Sequence, residues 1–106
     1  MYLSLLLRRY NMDAYKELIE LLLRRELGIL GRQKTEKLLE GLDIKFDFDT
    51  KTLIHYTGDG KALLEVLGHR IQQIGGDIAF MGAKISLILK AWKLKLELPP
   101  IFAVSY

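Results

Sequence analysis

The sequence of 106 residues contains no cysteine. Disulfides, thiolate nucleophiles and cysteine-ligated zinc are thereby excluded. Its two prolines are adjacent, Pro99 and Pro100, so no proline interrupts anything earlier in the chain. Two histidines and few serines leave little from which to build a nucleophile, a base and an orienting group. No apolar run approaches the roughly 20 residues that span a bilayer. The short apolar run at residues 2–7 has no basic segment before it, as a secretory signal would require. A cytoplasmic location is therefore the expectation. Charge of one sign is also scarce: the net +3 divides into +2 over residues 1–42, −1 over 43–76 and +2 over 77–106. A dedicated nucleic-acid binder concentrates its positive charge more than this.

What is present is the composition of a globular chain. Half of the residues are apolar and 27% are charged, which argues against disorder. The length suits one domain over residues 1–106, small enough that oligomerisation would add usefully to its stability. Abundant Leu, Ile, Lys, Arg and Glu without Cys give a thermophile-like composition.

Hydrophobic spacing predicts an α+β fold: a helical hairpin, a β-hairpin, then two helices, the last long and amphipathic. Residues 1–11 read as an N-terminal arm, or as an extension ahead of a true start at Met12. Asn11 or Asp13 can cap a first helix over about 13–27, with Tyr15, Leu18, Ile19, Leu22 and Leu23 inward and Gly28 at its end. A short second helix over about 31–40 turns Leu38 and Leu39 inward and stops at Gly41. The period then changes to two. Residues 43–49 alternate charged and apolar side chains, as a half-buried strand does, and 53–56 form the return strand. A third helix over about 60–74 buries Leu63, Val66, Leu67, Ile71 and Ile74. Gly75 and Gly76 break it, and Asp77 can cap the long helix, which Pro99 stops. The tail 99–106 is apolar enough to dock on the body, or to supply a third strand. Residues 93–98 alternate strictly and could be a strand, but Leu, Lys and Glu favour helix.

The long helix carries two apolar stripes. At 100° per residue, Ile78, Met81, Ile85, Ile88, Leu89, Trp92 and Leu96 share one broad face, expected to meet the core. Phe80, Leu87, Leu94 and Leu98 form a second stripe well round the cylinder. A chain this short has little material to cover both. Phe80, Leu87, Leu94 and Leu98, with Phe102, Leu5 and Leu6 as helpers, are therefore the expected protein interface.

Other constellations point to less. Gly58-Asp59-Gly60-Lys61 resembles a phosphate loop in outline. His55 stands where the first glycine belongs, however, and Ala62 where Ser or Thr belongs. Asp47, Asp49, His55 and Asp59 suggest a hard-cation site, but Lys51 and Thr52 occupy the ligand and glycine positions of a calcium loop. His69 follows Glu65 by four residues, a surface pair. No catalytic, cofactor-binding or metal-binding residue is assigned.

The expected function is a small non-catalytic interaction or assembly module, homo-oligomeric or a subunit of a larger complex. The alternative is a nucleic-acid-binding accessory protein that contacts phosphates through Arg32, Lys34, Lys84, Lys90, Lys93 and Lys95. The lysines of the last helix would equally suit an anionic membrane surface.

Overall fold

The computed structural model describes the backbone of residues 2–103 and the side chains of residues 14–103. The fold is α+β. Helices α1 (Tyr2–Leu30) and α2 (Arg32–Leu39) are followed by an antiparallel hairpin of β1 (Ile44–Asp47) and β2 (Thr52–Tyr56). Then come helix α3 (Gly60–Leu94) and a short 3-10 turn, η1 (Pro100–Phe102).

Helix α1 is longer than its expected span of 13–27. The predicted arm is helical from Tyr2, since nothing in residues 2–12 breaks a helix. Gly28 sits inside it, and the stop falls at Gly31, whose φ of 84° and ψ of 172° suit only glycine. Leu5 and Leu6 lie outside the described side chains. Helix α2 buries Thr35 and Leu38, and the Thr35 hydroxyl is satisfied by the Gly31 carbonyl at 2.8 Å. Arg70, from α3, donates to the carbonyls of Leu38 and Glu40 at 2.9 and 2.6 Å and closes the end of α2.

The hairpin is shorter than the alternating pattern. Asp47 accepts the backbone N–H groups of Asp49 and Thr50, so the turn begins two residues before the alternation ends. The register shifts between Lys45 and Phe46, leaving Ile54 as an extra residue on β2. The bulge puts Phe46 and Leu53 together on the core side and leaves Ile54 exposed. A two-stranded hairpin is marginal alone. Here α1 holds it: Glu20 accepts the Leu53 N–H at 2.9 Å, and Arg24 donates to the Lys51 carbonyl at 2.6 Å. No third strand occurs among the described residues.

Helix α3 bends at one residue. Gly76, with φ of 78° and ψ of −174°, divides it into a first arm, 60–75, and a second arm, 77–94. The break coincides with the expected Gly75-Gly76 interruption. The second arm runs antiparallel to α1. Leu30 lies against Gly75, the Arg25 guanidinium against Gly82, and Glu17 beside Lys90 at 3.7 Å. The Tyr15 hydroxyl donates to the Glu97 carbonyl at 2.9 Å.

The second arm ends at Leu94, well ahead of Pro99. Lys95 takes a left-handed conformation, φ 57° and ψ 41°. Its N–H reaches the Trp92 carbonyl at 3.3 Å, and the Leu96 N–H reaches Ala91 at 2.9 Å. This pair of bonds is a Schellman cap, with apolar Leu96 packed against the core. Neither a longer helix nor a strand is found over 95–98.

The core gathers Leu18, Ile19, Leu22 and Leu23 from α1 with Leu38, Leu53, Leu64, Leu67, Ile71 and Leu87. Phe102 closes it. Its ring stacks on Phe80 at 5.4 Å between centroids, and it also lies against Gly68, so η1 ties the two arms of α3 together. A β-carbon on Gly68 would meet Ile101 and the Phe102 ring at 2.8 and 2.9 Å. Glu65 accepts the Ile101 N–H at 3.1 Å beside this contact.

One buried carboxyl is unmatched. Glu26 on α1 is fully buried, and neither carboxyl oxygen has a hydrogen-bond partner among the described residues. Burial pushes its carboxyl up to about 7, against the pull of Arg25.

Two predictions follow from the packing. Gly68→Ala forces η1 off the first arm, and an overpacking loss of about 1–3 kcal/mol is expected in urea denaturation. Because the folded Glu26 holds its proton where the unfolded carboxyl has lost it, stability falls as pH rises from about 4.5 to about 7. Glu26→Gln is expected to flatten that slope; an unchanged slope would show that Glu26 does not set it.

Candidate interaction surface

The structure gives the two stripes of the long helix opposite roles to those expected. Phe80, Leu87 and Phe102 are 7%, 0% and 0% exposed, inside the chain's own core. Leu94 and Leu98 are half-buried and pack against it. This set, read from the sequence as the interface, is interior. The stripe read as core faces out: Ile78 is 91% exposed and Trp92 82%, with Met81, Ile85 and Leu89 between 50% and 56%. Ile88 and Leu96 are half-buried at its margin. Val66, expected inside, is also exposed.

The reason lies in the small residues. Ala79, Ala83 and Ala91 are buried and share the side of Phe80 and Leu87. A face of alanines lets a neighbouring backbone approach closely, which larger side chains on the other face would prevent. Side-chain size on each stripe, rather than total hydrophobicity, was the signal in the sequence.

The outward stripe is a ridge on one side of the second arm. Beside its end is an apolar groove of about 560 Å³, lined by Leu89, Trp92, Leu96, Leu98 and Phe102 with Lys95 at the edge. The ridge is flanked by Lys84, Lys93, Lys95 and Asp77, none of which makes an ion pair among the described residues.

The proposed phosphate contacts do not form one cluster. Arg32 is occupied on α2, bound to Glu36 at 3.0 Å, near Asp49 and over the Phe48 ring. Lys34 is exposed on the same helix, and Lys90 faces Glu17. Lys84, Lys93 and Lys95 remain, all on or just past the second arm.

The other constellations have structural roles. Gly60 is buried, and a β-carbon there would lie 2.7 Å from that of Tyr15. Asp59 caps α3 by accepting the Lys61 N–H, and Lys61 pairs with Glu97. The Asp47 carboxyl is held below its ordinary range by the N–H groups of Thr50 and Asp49. His69 contacts Glu65 at 3.1 Å. No group of three or more metal-ligating side chains occurs among the described residues, and no described helix is long and apolar enough to cross a membrane.

No protein-family model matches this chain, and no curated protein or solved structure shows significant similarity to it.

The exchange of faces makes a sharp contrast. Leu87→Asp buries a charge in the core and is expected to abolish folding. Ile85→Lys, two residues away on the ridge, is expected to retain the helical far-UV spectrum. Loss of that spectrum in both variants would show that the ridge is not external.

Proposed function

We propose that the chain is a non-catalytic protein-interaction module that assembles through the outward ridge of α3. The observation supporting this reading is the exposure of five large apolar side chains, Ile78, Met81, Ile85, Leu89 and Trp92, in one line. Monomeric proteins rarely expose a contiguous apolar patch larger than a few hundred Å² unless it serves contact. Covering a fully exposed side chain of this size contributes about 1.5–3 kcal/mol before association costs, and roughly half of that for the half-covered Met81, Ile85 and Leu89. Trp92 is the natural anchor, being the largest and among the most exposed.

A second reading, nucleic-acid binding, is favoured only by Lys84, Lys93 and Lys95, which flank the ridge without ion-pair partners among the described residues. Phosphate contacts by these residues would lose affinity steeply with salt.

A photo-reactive residue at position 89 tests the main reading. Irradiation of the full chain in a cell extract is expected to give discrete adducts with protein. The same group at Gln72, exposed on the first arm, should give none. Equal labelling at both positions, or none at 89, would exclude a protein-binding ridge.

A further inference from the structure

We infer that the partner of this ridge is a second copy of the same chain, packed antiparallel about a two-fold axis at Ile85. This rests on the reading of the ridge as a protein-binding face, and three observations select the occupant.

The first is symmetry. The exposed positions are 78, 81, 85, 89 and 92, at offsets of −7, −4, 0, +4 and +7 from Ile85. A two-fold interface must present one surface to itself, each residue i meeting j while j meets i. A stripe whose positions are spaced alike from either end suits that condition. Antiparallel packing then brings Trp92 of one copy over the Ile78–Met81 end of the other. The largest side chain thus meets an end where Ile78 is almost wholly uncovered.

The second is area. All five side chains are half or more exposed, and covering them would supply a large part of the roughly 800 Å² per partner of a standard stable interface. The ridge from Ile78 to Trp92 is about 21 Å long, from the rise of an α-helix. A second copy presents a ridge of that same length and character.

The third is charge. Asp77 opens the second arm and Lys95, in its left-handed conformation, caps the other end, so opposite charges stand at the two ends of the ridge. With the two-fold at Ile85, Asp77 of each copy lies nearly level with Lys95 of the other. Parallel packing would instead gather Lys93 and Lys95 of both copies at one end, where like charges repel. Lys84 lies near the axis, and its long stem can carry the ammonium away to water.

Sedimentation equilibrium of the full chain across micromolar to millimolar concentrations is the direct test. A concentration-dependent dimer is expected. Ile85→Lys and Trp92→Glu are expected to weaken it at least tenfold while keeping the folded far-UV spectrum. Orientation is tested by single cysteines, which the chain otherwise lacks. A short thiol-reactive linker should join Ile78→Cys chains to Lys93→Cys chains, and should not join Ile78→Cys chains to each other. Self-linkage at position 78 would overturn the antiparallel arrangement. A monomer at every concentration, or a dimer indifferent to Ile85→Lys and Trp92→Glu, would overturn the inference.

The competing occupants give their own results. A monomeric chain that forms adducts at position 89 with another protein keeps the interaction reading but loses the self-association. A monomeric chain with no protein adducts, binding vesicles rich in anionic lipid in a Trp92-dependent way, loses both.

Discussion

The close seating of α1 on the alanine side of α3 is the constraint from which the remaining architecture follows. Ala79, Ala83 and Ala91 are buried on the second arm, and Gly82 leaves room for the Arg25 guanidinium. With that side committed to the core, the bulkier side chains opposite are left half or more exposed. The assignment of inside and outside is therefore a matter of shape before it is one of hydrophobicity. The contacts along the seam fix the alignment from end to end: Leu30 at Gly75, Glu17 at Lys90, Tyr15 at the Glu97 carbonyl.

Polar side chains in this molecule mostly fasten one element to another. Glu20 and Arg24 secure the hairpin to α1 through backbone groups of β2 and its turn. Arg70 binds two carbonyls at the end of α2, and Glu65 holds the chain entering η1. Thr57 and Asp43 bridge the base of the hairpin. Such bonds contribute about 1 kcal/mol each and, more importantly, fix geometry. The residues that looked like chemistry in the sequence, Asp47, Asp59 and Lys61, are engaged in turns, caps and a surface ion pair. Glu26 stands apart as a buried carboxyl with no such role.

The class of fold and the order of its elements were legible because they rest on local periodicity. The alternation around Phe46, the helical spacing of Leu18, Ile19, Leu22 and Leu23, and the glycines at 75 and 76 each announce their element. Boundaries were less so. The start of α1 carried no usable signal, because residues 2–12 suit either an arm or a helix. The end of α3 depended on a lysine adopting a left-handed conformation, which lysine does rarely. Which stripe of α3 faces the core could not be read from angles alone, since a wheel shows two faces without saying what meets them. Phe102 likewise gave no hint that its ring would close the bend of α3, a contact reaching back across more than thirty residues to Gly68. The lysines on either side of the ridge were visible in the sequence. Their separation from Arg32 and Lys34 required the fold.

The position of Trp92 has a practical optical consequence. It is the sole indole among the chromophores, and it stands clear of the core at 82% exposure. Its emission therefore registers what approaches the surface of α3 and is a poor gauge of whether the interior is intact. The interior is better followed through the helical amide signal.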